Sequence, residues 1–506
     1  MRRPGCARTA LHATLLPALC ALQVSAGQVR AGEAPAAPAG RERSDLVAVV
    51  HLHTTLGDGL ATPAELARAA RRSGVEALVI TDHFLERVSY APWPIGNVIG
   101  VALSRPSVMS GGIRNYLEAL AAAERESGIL VLPGIEVSPY ARFTGSLLAR
   151  TLRLEGWHRH VLVIGVEDSR ALARLPAAGN RAGGRYGAWS ILYLLPAAAL
   201  AWSASRALRP SYHETRLAKF RLRQRRLPIA EGLVGAAALV LLVAGFPFKV
   251  ESFSPVAADP EEAPFRLLED RVHRLGGFIA WAHPEAAAEK QALGVRLETT
   301  PYPGLLLKTD ADAFGAMPEG VKTLLPAGGL WDRALRDHVE GRRRSAPFAF
   351  AELDEHRAAH AIDLGVLQTV LHVRERSHAG MLEAMKRGRM YGRWTPDGRP
   401  PLSLAEWSAE APGAAPAVSG ETLRARGPVT IRLAVGGGDG APATARLVRA
   451  GDVIWSKRAA PPFAAAIEDD APGATSYRLD VEGAYPYRLI SNPIFVIGSE
   501  VPEGGA

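Results

Sequence analysis

Between residues 45 and 360, short apolar runs alternate with longer stretches in which apolar side chains recur every three or four positions. Runs at 46–50, 77–81, 129–136, 161–166, 278–282, 295–299 and 348–353 predict buried strands. Amphipathic spacing near 63–73, 113–127 and 264–275 predicts helices between them. The first opens with Thr62 as N-cap and Pro63 in its first turn. Strand–helix alternation of this kind predicts an α/β fold with a parallel sheet or barrel, where chemistry gathers at strand ends.

The pattern breaks in three places. Residues 187–204 and 233–248 are uncharged and apolar, with Trp189 and Trp202 near the ends of the first run. They predict a transmembrane hairpin over 187–248, its basic loop 206–226 on the cytoplasmic side. After residue 395 the chain turns Pro/Ala/Gly-rich over 400–428. Short alternating runs then follow at 429–435, 445–448, 452–455, 476–481 and 493–497. They predict a small Ig-like β-sandwich over 400–499, with a packing or recognition role. Residues 1–26 have a basic start, an apolar stretch and Val24-Ser25-Ala26 before a cleavage point, as in a signal peptide. Residues 27–44 predict a linker. Signal and hairpin together place the chain in the cytoplasmic membrane, its catalytic body on the outer, periplasmic side.

Charge changes this picture little. Of the net +8, Arg2, Arg3 and Arg8 supply +3 and the segment 206–226 supplies +7, so the rest carries −2. A body without net positive charge disfavours a nucleic-acid partner. The two cysteines, Cys6 and Cys20, lie in the first twenty residues. Any metal in the body must therefore be held by His, Asp and Glu.

Those residues cluster at strand ends. The first run leads into His51-Leu52-His53 and, five residues on, Asp58; on an extended backbone the two imidazoles face one side. The second ends in Thr81-Asp82-His83 and the third in Gly134-Ile135-Glu136. The fourth opens with His158-Arg159-His160, which also face one side; His160 is preferred because it abuts the strand. The fifth ends in Ala282-His283-Pro284 and the seventh in Asp354-Glu355-His356; the sixth, 295–299, brings none. Nine N/O ligands exceed one ion's demand, which implies two or three. Asp82 is a candidate orienter or proton acceptor beside His83, with a helix N-cap as the equal alternative. Arg389 is a candidate substrate-side cation, although a structural role is preferred for it and for Trp331-Asp332. His338, His360, His372 and His378 read as surface or core residues.

The ordered set His-x-His-Thr-Thr…Asp-Gly, Thr-Asp-His, Gly-Ile-Glu, His-Val-Leu-Val-Ile-Gly, Ala-His-Pro and Asp-x-His resembles the PHP (polymerase and histidinol phosphatase) metallohydrolases over 45–186 and 249–395. The stretch 383–391 is similar to that family's closing helix. The tail with Tyr477-Arg-Leu-Asp and Leu489-Ile-Ser-Asn-Pro resembles its carbaryl-hydrolase-like branch. The resemblance implies a distorted (β/α)7 barrel, interrupted here by the hairpin between the fourth and fifth strands. It implies one metal on His51, His53, Glu136 and Asp354, and a second on Asp58, His83 and His356. A third would share Glu136 with His160 and His283. The family's usual Gly-Ser-Asp-x-His stands here as Glu352-Leu353-Asp354-Glu355-His356. The implied cofactors are two or three divalent ions (Mn, Zn or Fe). The implied activity is phosphoester hydrolysis by a metal-bridged hydroxide, with a small molecule or a phosphoester as the substrate. Carboxyl-ester or carbamate hydrolysis, or a non-enzymatic metal-stabilised binding module, are the alternatives.

Overall fold

A computed structural model describes residues 43–498 apart from 86, 91–100, 147–148, 210–211, 218–219, 293, 397, 426 and 471–472. The expected signal peptide, and the expected linker up to residue 42, lie outside the described residues.

Seven strands close into a barrel: β1 (Ser44–Leu52), β2 (Ala77–Ile80), β3 (Leu130–Val137), β4 (Val161–Ile164), β5 (Phe278–Trp281), β6 (Ala313–Met317) and β7 (Phe348–Glu355). They pair in chain order, and β7 returns to pair with β1. Their side chains are buried almost throughout, so the runs are apolar without alternation. Helix α1 (Pro63–Arg72) links β1 to β2. Thr62 Oγ1 accepts from the Glu65 N–H while the Glu65 carboxylate accepts from the Thr62 N–H. Helix α2 (Ile113–Ser127) precedes β3 and ends at Gly128, whose φ of 72° forms a left-handed cap.

The barrel is mixed, which corrects the expected (β/α)7 arrangement. Strand β4 runs antiparallel to both β3 and β5, and the other five neighbour pairs are parallel. A parallel return needs a crossover, usually a helix. The segment between β3 and β4 instead holds the short strands Arg142–Thr144 and Arg153–Glu155, and turns the chain back. The sixth barrel strand is also not the expected one. Residues Val295–Thr299 join a separate four-stranded sheet and leave Arg296 and Glu298 partly in solvent. A strand whose charges alternate with its apolar residues suits a sheet with one face in water. The uncharged β6 takes its place in the barrel.

The membrane hairpin is overturned too. The two apolar runs form α3 (Leu194–Ala207), of 14 residues, and α4 (Ile229–Gly245), of 17. At 1.5 Å per residue these are about 21 and 25 Å long, against a hydrocarbon layer of about 30 Å. Residues Ala188–Tyr193 wind as a separate 3-10 turn and so shorten the first helix. No helix among the described residues is long and apolar enough to cross a membrane. The basic segment between them forms a β-hairpin of Tyr212–Leu217 and Phe220–Arg225. The helices pack on each other and expose Leu194, Leu195, Trp202, Leu233, Val240 and Val243.

Helix α5 (Ala263–Arg274) leads into β5 and buries Glu269. Burial pushes the Glu269 carboxyl up to about 7, against hydrogen bonding from the Asp310 N–H. A carboxyl raised in the folded state stabilises most below its unfolded pKa, near 4.5, and loses that contribution as pH rises through 7. Glu269→Gln is therefore expected to flatten the decline in stability between pH 4.5 and 7, by about 3 kcal/mol at neutral pH. Denaturant titrations at several pH values check this; an unchanged slope would contradict it.

Beyond β7, strands β8 (Leu367–Val373) and β9 (Met390–Trp394) extend the wall, β8 pairing antiparallel with β1. Strands Arg488–Ser491, Thr475–Glu482, Ala443–Arg449 and Asp452–Ala459 continue the same sheet. A second sheet of Leu402–Glu410, Ala417–Val418, Val429–Gly437 and Phe463–Asp469 covers it. Trp407, Ile431, Leu433, Leu447 and Leu479 fill the space between. The C-terminal strands thus share a continuous sheet with the barrel rather than standing apart as a separate sandwich. Asn492 fastens the junction: its amide accepts from Ala349 N at 2.7 Å and donates to the Ala349 and Met390 carbonyls at 2.9 and 3.0 Å.

Candidate metal centre

The parallel strands end at one mouth of the barrel, and their last residues carry the polar side chains. At the end of β1 the register slips between Val50 and Leu52, and His51 takes a φ of 71°. The two histidines of His51-Leu52-His53 therefore converge through a bulge rather than through regular alternation, their ring centroids 5.2 Å apart. β2 runs on to His83, which bridges to Glu136 of β3. The reversed β4 explains why its histidines precede the strand: its start lies where its neighbours end, and the His160 carbonyl accepts from Ala282 N. β5 delivers His283, and β7 with the turn after it delivers Asp354 and His356. Asp58 sits on the 54–59 loop, folded back so tightly that a Cβ on Gly59 would strike the His53 backbone.

Glu136 occupies the middle. Its Oε1 lies 2.7 Å from His160 Nδ1, 3.1 Å from His283 Nε2 and 3.3 Å from His51 Nε2. Its Oε2 lies 2.9 Å from His83 Nδ1 and 3.3 Å from His53 Nε2. Asp354 Oδ1 is 3.5 Å from both His51 Nε2 and His53 Nε2. On the other side of His53, Asp58 stands 3.5 Å from its Nδ1, 3.4 Å from His356 Nε2 and 3.7 Å from His83 Nε2. The donor atoms form four overlapping groups, each within 4.8 Å: His51, His53 and Asp354; His53, Asp58, His83 and His356; His83, Glu136 and His160; and His158, His160 and His283. The structure thus gathers all nine residues singled out above and adds His158, whose ring stacks on His283 at 4.4 Å.

Two features test whether these residues fit metal ions. In a tetrahedral centre with bonds of about 2.0–2.1 Å, neighbouring donors stand about 3.3–3.4 Å apart, close to several separations above. His51 Nε2, both nitrogens of His53, His158 Nδ1, His160 Nδ1 and Asp58 Oδ1 are buried and make no hydrogen bond of acceptable geometry. Leaving such atoms unsatisfied costs about 1–3 kcal/mol each; a cation among them would remove that cost. The donor set fits.

Electrostatics agree. Burial raises the Glu136 carboxyl, but His160, His83 and His51 outweigh it and hold the group well below the usual range. Burial likewise opposes charge on His51, yet Glu136 and Asp354 draw a proton onto it and raise its pKa well above normal. Burial lowers His53 to about 4. Asp58 falls to about 2 because His356 and His83 outweigh its burial. A metal ion would displace the proton that these carboxylates otherwise attract.

Asp82 is not a helix cap. Its carboxylate accepts from Thr54 N at 2.6 Å and Thr54 Oγ1 at 2.7 Å, clamping the loop that carries Asp58, and burial pushes its pKa to about 7. Arg389 is not brought to the cluster. It precedes β9 at the level where Met390 pairs with Leu371 and Leu371 with Leu46, the end of β1 away from His51. There it meets Glu383 at 2.9 Å and Glu421 at 3.4 Å, a structural placement. Two supporting residues escape sequence reading. Glu352 receives His51 Nδ1 at 2.9 Å, and Tyr302 Oη lies 3.3 Å from His283 Nδ1 while donating to the Ala282 carbonyl at 2.6 Å. A lone carboxylate inside the apolar run 348–353 was the one available signal for Glu352.

The sequence matches no family model and no curated protein. Among solved structures it is similar to a two-domain Bacteroides vulgatus protein containing a predicted PHP-like metal-dependent phosphoesterase, at 10% identity and a TM-score of 0.35, covering 92% of this chain and 100% of that one. It is also similar to a Chromobacterium violaceum amidohydrolase with bound sulfate and no metal, at 18% identity and a TM-score of 0.26, covering 61% of this chain and 87% of that one. These likenesses are too distant to transfer an activity.

Proposed function

We propose that this chain is a metal-dependent hydrolase of phosphoesters. The observation that carries the reading is the set of His, Asp and Glu donors gathered in overlapping groups, each within 4.8 Å, around Glu136. His51, His53, Glu136 and Asp354 would hold one ion, and Asp58, His83 and His356 a second. Glu136 with His160 and His283, and His158 beside them, could take a third. Imidazole and carboxylate ligands suit Zn, Mn or Fe. Such ions supply Lewis acidity and a water activated at neutral pH.

Charge favours phosphoesters over neutral esters. Two divalent ions would bring four positive charges, balanced by Asp58, Glu136, Asp354 and the Glu352 carboxylate behind His51, and a third would leave a surplus. The surplus suits an anionic substrate and the charge that develops on its oxygens. The protein's own groups fix the geometry. Glu136 spaces five imidazoles, Asp82 with Thr54 holds the Asp58 loop, and Tyr302 holds the start of β4 and the end of β5 together.

A panel of phosphomonoester, phosphodiester and aryl-ester substrates, run with Mn²⁺ or Zn²⁺, tests the proposal. Phosphoester turnover is expected, lost on chelation and restored by added metal. Metal binding without turnover of any substrate would overturn the hydrolase reading. Turnover of the aryl ester alone would overturn its phosphoester part.

A further inference from the structure

Three non-glycine residues at the cluster hold left-handed backbone: His51 at φ 71°, His283 at 31° and Asp354 at 48°. Such conformations cost on the order of 1–3 kcal/mol each and persist only where surrounding contacts impose them. One side chain touches two of the three. Glu352, 1% exposed, places Oε2 at 2.9 Å from His51 Nδ1 and accepts from the His283 N–H at 2.7 Å through Oε1. These partners are far apart in sequence and lie on β1 and at the end of β5, so one carboxylate spans the mouth of the barrel behind the imidazoles.

Space for it is made by a neighbour. Gly315 on β6 faces Glu352, and a Cβ there would run into both carboxylate oxygens. A carboxylate offers acceptors only. With a metal bound, Nε2, which points at Glu136 and Asp354, would be the ligating nitrogen, and the remaining hydrogen would sit on Nδ1, facing Glu352.

We propose that Glu352 is a positioning residue of the metal centre: it fixes His51 as the Nδ1–H tautomer with Nε2 free toward the ligand cluster, and pins the left-handed backbone of His283, with Gly315 leaving it room. The inference rests on the metal-centre reading, and its tests separate the failure of the one from the failure of the other.

Nitrogen NMR of the histidines in the Zn²⁺-loaded native chain should show His51 carrying its hydrogen on Nδ1, with Nε2 on the metal. In Glu352→Gln the amide has one acceptor and one donor. With its oxygen on the His283 N–H, its NH₂ faces His51 and selects the Nε2–H tautomer, which cannot ligate through Nε2. The His51 tautomer should therefore switch, and affinity for Zn²⁺ measured by chelator competition should fall about 10–100-fold, with far-UV dichroism unchanged. Gly315→Ala, which alters no ligand, should weaken Zn²⁺ binding in the same direction by displacing the carboxylate. Native His51 found as Nε2–H, or Glu352→Gln binding Zn²⁺ as the native chain does, would overturn the proposal. If Glu352→Gln does not fold, the native tautomer decides alone. A native chain that binds no Zn²⁺ would instead overturn the metal-centre reading, and the role of Glu352 with it; weakened binding confined to the variants would leave both standing.

Discussion

Glu136→Gln is expected to lower kcat/KM by on the order of 10³-fold, about 4 kcal/mol of barrier. The carboxylate approaches His51, His53, His83, His160 and His283 within 2.7 to 3.3 Å, so every proposed metal position is beside it. Glutamine keeps the volume but removes the charge and presents an NH₂ to imidazole nitrogens that need an acceptor or a cation. The loss should be read with a second quantity. Metal that binds only the folded state raises the thermal midpoint by mass action. The native chain should show that rise with Mn²⁺ or Zn²⁺, and Glu136→Gln should not. Retained activity, or an undiminished metal-induced shift, would contradict the role given to Glu136.

The largest stability effect is expected away from the centre. Arg478, 1% exposed, meets Asp332 on α6 (Leu330–Val339) through two bonds of 2.6 and 2.7 Å, donates to the Leu325 carbonyl and lies over the Trp331 ring. The pair joins the C-terminal sheet to a barrel helix. Asp332→Ala would leave a guanidinium buried without its counter-charge, and such removals cost about 3–5 kcal/mol. Chemical denaturation should show a loss of that size. Asp337→Ala on the same helix breaks only an exposed contact with Arg342 and should leave the midpoint where it is. A small effect at Asp332 would mean that the two parts do not rely on this contact.

The residues gathered at the barrel mouth were legible because each belongs to a short local pattern: an apolar strand followed, or in β4 preceded, by a His, Asp or Glu. What held them together was not legible. Glu352 works through His51, 301 positions away, and through the backbone of His283; no local pattern records such a pairing. The direction of β4 was equally hidden, since a strand reads the same both ways until its connection is known. Residues 295–299 form a strand, but Val295 and Leu297 alternate there with Arg296 and Glu298, the pattern of a sheet wet on one face rather than of a barrel wall. The 313–317 strand is weakly marked in the sequence because Ala313, Gly315 and Ala316 lower its hydrophobic signal. Apolar length misled in the hairpin, where a 3-10 turn consumed residues that a continuous helix would have used.

Elemental analysis of the purified native chain, after dialysis against excess Mn²⁺ or Zn²⁺ and removal of free ion, tests the central claim most directly. The donor set predicts two or three bound divalent ions per chain, falling when His53, which stands between Asp58, Glu136 and Asp354, is replaced by alanine. A folded native chain that retains no divalent metal would contradict it.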